Sequence, residues 1–213
     1  MLAEAPRLAD VRMVRTYDDL AEEIFAAPAR LGDARLVTVD GPSGAGKTTF
    51  ARRLLAALTV RGSVALVEIE GLYEGWTLDG AWTRLDEYVL EPLAAGWAGG
   101  FHPYDWATES WSPRWHTVPV SQVLVVEGCG SSPQAADGFI THQIWVQAPA
   151  EVALARGSTR TGVDLDRRLR AWKEVEAAYF TEQRTRQRAD LRVDGNPAQP
   201  PPYDPEMVFS TLP

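Results

Sequence analysis

The feature that most limits what this chain can fold into is the octet Gly41-Pro42-Ser43-Gly44-Ala45-Gly46-Lys47-Thr48 and its position. Before it runs Arg35-Leu-Val-Thr-Val-Asp40, short and apolar, which reads as a buried strand. After it, Thr48 to Val60 carries Phe50, Leu54, Leu55 and Leu58 at helical spacing. The octet satisfies G-x-x-x-x-G-K-[ST], and the strand before it and helix after it are the context that gives the pattern physical meaning. Glycines admit φ > 0, so successive N–H groups can turn inward around phosphate oxygens. The following helix offers the positive end of its dipole to the same oxygens. The nucleotide-binding set expected is Gly41 through Thr49, with Lys47 reaching the β- and γ-phosphates and the Thr48 hydroxyl holding Mg²⁺.

The rest of the chain alternates. A helix should begin near Thr16, capped ahead of Asp18 and Asp19. Further strands are expected at residues 63–70, 120–127, 140–147 and 189–193, and helices at 79–95, 150–160 and 164–188. Residues 96–119 read as irregular, and the proline-rich 195–213 as an irregular C-terminal wrap. Strands alternating with helices imply a parallel sheet covered on both faces, with ligands beyond the carboxyl ends of the strands. At 213 residues, 45% hydrophobic and 23% charged, the chain fits one globular domain. No apolar run is long enough to cross a bilayer, no secretory leader is apparent, and the single Cys129 precludes an internal disulfide. A cytoplasmic location follows as the expectation. A net charge of −8 argues against nucleic acid as a partner. Only two of the 21 cationic side chains are lysines, Lys47 and Lys173.

Val123-Leu-Val-Val-Glu127-Gly128 is an apolar strand ending in a carboxylate, placed to hold Mg²⁺ beside the loop together with Thr48. The guanine and switch motifs of GTPases, N-K-x-D and D-x-x-G, are absent from suitable places. Instead, residues 71–118 are inserted between the second and third strands, where small-molecule kinases bind the phosphate acceptor. Taken with Glu70-Gly-Leu-Tyr73, Tyr104-Asp-Trp106, Val123–Gly128 and Arg188-Ala-Asp-Leu-Arg-Val193, the octet resembles the uridine kinase branch of the P-loop kinases over about residues 35–195. The resemblance implies a three-layer α/β P-loop NTPase fold, its five parallel strands in the order 2-3-1-4-5, and ATP-dependent phosphorylation of a hydroxyl. It also places Glu70 as the base near the acceptor, where the family has an aspartate. Glu109 stands where the family has a base-contacting histidine, a departure that points away from uridine itself.

Six of the eight tryptophans fall between residues 76 and 115. With Tyr73 and Tyr104 they suggest a flat-walled pocket for a ring-bearing acceptor, with Asp79 and Asp105 as hydroxyl-binding carboxylates. Residues 156–192 hold ten of the 21 cationic groups. Arg156 and Arg160 lie one helical turn apart ahead of Thr161-Gly162, where a lid over 156–170 would supply charge to the moving phosphoryl group. The expectation is a kinase using ATP and Mg²⁺ on a small nucleoside-like molecule, monomeric or homodimeric, without nucleic-acid or membrane partners. The alternatives are a nucleotide-binding regulatory protein without transfer activity and an NTPase.

Overall fold

The structure, a computed structural model, describes residues 13–161 and 166–213, without the side chains of 158–161 and 166. Five strands form the central parallel sheet: β2 (Arg35–Asp40), β3 (Val64–Glu68), β8 (Val123–Glu127), β9 (Ile140–Gln147) and β10 (Leu191–Asp194). Their spatial order is β3-β8-β2-β9-β10, all neighbours parallel, which is the expected 2-3-1-4-5. Val39 of β2 is level with Glu127 of β8, so the glycine loop and the acid leave the sheet at one edge.

Period-2 alternation explains the layers. Val37, Val39, Val123 and Val125 face one side, where they pack with Leu20, Ile24, Phe50, Leu54 and Leu58 of α1 (Tyr17–Ala26) and α2 (Lys47–Thr59). Leu36, Leu124 and Val126 face the other side, against Leu85, Val89 and Leu90 of α3 and Trp172 of α5 (Asp166–Gln183). The helix α3 runs from Ala81 to Ala94 with a π turn at Asp86–Leu90 in its middle. On the first face, α1 starts where expected: the Thr16 hydroxyl accepts the Asp19 N–H at 2.9 Å.

Three expectations are corrected. Residues 96–119 are not wholly irregular: β4 (Gly99–Phe101) pairs with β7 (His116–Val118), and β5 (Tyr104–Asp105) with β6 (Ser110–Trp111). These ribbons are too short to show an alternating pattern in sequence. The C-terminal wrap contains β11 (Val208–Ser210), antiparallel to β1 (Val14–Thr16), a pairing between chain ends that no local signal announces. The long helix expected over 164–188 breaks at Arg184 (φ 50°), leaving α5 and the single turn α6 (Thr185–Arg188). The remaining helix, α4, spans Ala150–Thr161. No helix among the described residues is long and apolar enough to cross a membrane.

Candidate functional site

The loop between β2 and α2 has the backbone its glycines allow. Gly44 sits at φ 80°, and a Cβ there would lie 2.0 Å from the carbonyl oxygen of Ala153, at the start of α4. Gly46 (φ 103°) turns the chain into α2, whose first residue is Lys47. The Lys47 ammonium donates to the Pro42 carbonyl at 3.2 Å, curled over its own loop and 5% exposed. Ser43, Gly44, Gly46, Lys47, Thr48 and Thr49 surround a hollow of about 190 Å³ that Glu70 and Arg156 complete.

Thr48 and Glu127 meet as the sequence anticipates. The Thr48 hydroxyl donates to Glu127 Oε1 at 2.9 Å. Glu127 Oε2 is buried and has no hydrogen-bond partner among the described residues. Burial pushes the Glu127 carboxyl above its usual range, against the opposing pull of Lys47 and the Thr48 hydroxyl. A half-buried hydroxyl beside an orphaned carboxylate oxygen, at the hollow bordered by the glycine loop, is a donor set suited to Mg²⁺, which takes oxygen ligands and retains water and phosphate oxygens. Among the described residues no group of three or more His, Cys, Asp or Glu could hold a metal by itself, so the nucleotide would have to supply ligands too.

Asp40, which the sequence reading treated only as the end of a strand, is fully buried behind the loop. Its carboxylate accepts from Gly41 N (2.7 Å), Gly130 N (2.9 Å) and Ser132 N (3.0 Å), pinning the segments after β2 and β8 to each other. Desolvation raises its carboxyl to about 6, although the three amides and Lys47 favour the ion. An acid immediately before a glycine loop is the signal that was available, the same one used for Glu127.

On the far side of Ser43 and Glu70 opens a cavity of about 440 Å³. Its walls include Tyr73, Trp76, Tyr104, Trp106 and Trp172. Tyr73, Trp106, Trp76 and Trp172 form a closed circuit with successive ring centroids 6.3, 5.6, 6.1 and 5.5 Å apart, three of the four contacts edge-on. Such contacts stabilise the wall by about 0.5–1.5 kcal/mol each beyond area burial. The Tyr73 hydroxyl is committed to the Cys129 carbonyl, so this ring offers the cavity its body and not its oxygen. Glu70 lies in the 3₁₀ turn Ile69–Leu72 just beyond β3, half-buried, and its carboxylate has no hydrogen bond among the described residues. Glu109, held at φ 49°, reaches the same cavity and pairs with Arg168 of α5 at 3.0 Å.

Asp79 and Asp105 do not line this cavity. Asp105 is exposed and accepts the Ala107 and Thr108 amides, capping its own turn, which holds its carboxyl below the usual range. Asp79 is exposed beside the start of α3, its amide bonded to the Thr77 hydroxyl. The tryptophans are also divided. Trp111 and Trp115 border a separate groove with His102, Trp82 packs on the core, and Trp97 is largely exposed.

A cleft of about 590 Å³, bordered by Phe50, Arg53, Asn196, Pro197, Pro201 and Tyr203, shares Gly46, Thr49 and Arg156 with the hollow. Arg156 stands between the two, donating to the Gly195 carbonyl at 3.1 Å and to Asn196 Oδ1 at 2.8 Å. It does not line the aromatic cavity. The Arg160 side chain lies outside the described residues, as do residues 162–165 of the expected lid.

The sequence reading missed Trp172, Lys173 and Glu176, which α5 brings onto Ser43. The one available hint was that Lys173 is the only lysine apart from Lys47. Ser43 N donates to Glu176 Oε2 at 3.0 Å, and Trp172 Nε1 donates to Ser43 Oγ at 2.8 Å. The Lys173 ammonium donates to the Ser43 carbonyl and, at 2.7 Å, to Glu176 Oε1.

The sheet order, the glycine loop and the flanking helices make this a P-loop kinase-like α/β fold. A candidate uridine kinase from Bacillus stearothermophilus superposes with a TM-score of 0.61, over 83% of this chain and 96% of its own, at 21% identity. A candidate fructose transport system kinase from Silicibacter sp. TM1040 gives 0.60, over 78% and 95%, at 18% identity. No protein-family model and no curated protein matches the sequence.

Proposed function

We propose that the protein is an ATP-dependent kinase that phosphorylates a hydroxyl of a small, ring-bearing, nucleoside-like metabolite. The carrying observation is the contiguity of three spaces. Gly46, Thr49 and Arg156 border both the outer cleft and the phosphate hollow, while Ser43 and Glu70 border both that hollow and the aromatic cavity. A nucleotide laid along that path has its base in the outer cleft, its phosphates among the loop amides, and its terminal phosphorus at Ser43 and Glu70, facing an acceptor between the rings. The kinase-like fold supports the same reading.

In this scheme Glu70 accepts the proton of the acceptor hydroxyl as that oxygen bonds to the terminal phosphorus. The bond from phosphorus to the bridging oxygen breaks, and ADP leaves with the electron pair. Lys47 swings from Pro42 to the phosphates, and the loop amides hold them in place. Thr48 and Glu127 would hold Mg²⁺, which neutralises phosphate charge when bound. Tyr73, Trp76, Trp106 and Trp172 exclude water and orient the acceptor's flat face. Mass spectrometry of a panel of nucleosides, sugars and vitamin precursors incubated with Mg·ATP should reveal one acceptor that gains a phosphate, and Lys47→Ala should abolish that gain while leaving the circular dichroism unchanged. Tight Mg·ATP binding with no product from any acceptor would instead favour a nucleotide-binding protein without transfer activity.

A further inference from the structure

Ser43 is held in an unusual way: all three of its polar groups are taken by side chains from a single helix. Its N–H goes to Glu176, its carbonyl oxygen to Lys173 and its hydroxyl to Trp172. The helical period accounts for this, because residues 172 and 176 share a face at i, i+4 and Lys173 reaches Glu176 at i, i+3. Glu176 is 2% exposed, and an acid so deep beside a phosphate site would repel the nucleotide if unpaired. Its contact with Lys173 at 2.7 Å answers that charge, and a compact ammonium with three donors can reach the Ser43 carbonyl as well. Trp172 meanwhile forms a wall of the aromatic cavity, packed on Tyr73 and Trp76. The same helix thus touches the acceptor space with a ring face and the phosphate loop with the indole N–H.

We propose that Trp172, Lys173 and Glu176 are positioning residues that fix the phosphate loop at Ser43 and tie its geometry to the acceptor cavity. The proposal rests on the functional reading above, since Ser43 lies where the terminal phosphate would meet the acceptor. A phosphate mimic would occupy only the N–H, whereas this triad also holds the carbonyl and the hydroxyl. The contacts therefore describe a clamp and not a blocked binding site. Because Ser43 borders the far end of the hollow, loosening it should affect a triphosphate more than a diphosphate.

Two measurements on the full chain test this. In the free protein, hydrogen exchange of the Ser43 amide should accelerate about tenfold or more in Glu176→Ala, with amides of β2 unchanged. By calorimetry, the same variant should bind a non-hydrolysable Mg·ATP analogue about tenfold more weakly, with Mg·ADP affinity held within about twofold. Trp172→Phe keeps an aromatic ring but removes the five-membered half of the indole with its N–H, so it should show the same selective loss, smaller in size. It also serves if Glu176→Ala fails to fold. Unchanged Ser43 exchange, equal weakening for both nucleotides, or tighter binding of the ATP analogue would each overturn the clamp. If the wild type binds no Mg·ATP, the kinase reading fails by itself, and the exchange experiment still decides whether α5 holds the loop.

Discussion

Glu127→Gln sets stability against function at one atom pair. In the free protein Glu127 is 4% exposed, and one of its oxygens has no hydrogen-bond partner among the described residues. Leaving a buried polar group unsatisfied costs about 1–3 kcal/mol, and more when it is charged. Glutamine retains an oxygen for the Thr48 hydroxyl and replaces the orphaned charged atom with a neutral amide. That amide is still unpaired, so only the added cost of the charge is relieved, and the free variant should be more stable at pH 7 by about 1 kcal/mol. At roughly 2–4 °C per kcal/mol for a chain of this size, its melting temperature should rise by about 2–4 °C. The sign of the pH effect follows from the raised carboxyl. A group whose folded-state pKa lies above its unfolded value is a burden when ionised, and the burden lifts as falling pH protonates it. The advantage of the glutamine should thus shrink as the pH is lowered from 7 into the ordinary glutamate range. Magnesium-dependent ATP binding should show the opposite effect, because the variant lacks the charge that would face the ion. Calorimetric scans at pH 7 and pH 4.5, with and without Mg·ATP, read both effects. A variant that melts lower than wild type when free, or that gains as much stability from Mg·ATP, would refute the reasoning.

Asp40 carries a pH dependence of its own. With its carboxyl raised to about 6 from the ordinary 3.8, the ionised form costs roughly 3 kcal/mol at neutral pH, present above the folded value and relieved as pH falls. Urea unfolding of wild type should accordingly lose stability between about pH 4 and 7 relative to Asp40→Asn, and parallel pH profiles would count against it. Thr16→Ala, which removes the cap on α1 far from the loop, should cost about 1 kcal/mol, or roughly 2–4 °C in melting temperature. Nucleotide affinity by calorimetry should stay unchanged in that variant.

What could be read from the chain was local. The strand–loop–helix unit around Gly41–Thr48 declares itself because glycine spacing and apolar periodicity fall within some 25 consecutive residues. Glu127 could be read for the same reason, as an acid closing an apolar strand. Asp79 and Asp105 illustrate the limit. As carboxylates within an aromatic-rich insert they fit the chemistry of an acceptor site, yet Asp105 is used by its own turn, a competition that sequence alone does not rank. Arg156 was anticipated near the phosphates, but which side of the hollow it occupies depends on Gly195 and Asn196, about 40 positions away.

The amino-acid order by itself determined the layered sheet, the amide cradle and the pairing of a hydroxyl with an acid, because each rests on a repeating period or a short motif. Tertiary structure alone decided which rings enclose the aromatic cavity, and that Trp172, Lys173 and Glu176, some 130 residues downstream, close on Ser43. Those contacts depend on where packing places α5, whose Trp172 is buried in the core cluster on that face of the sheet.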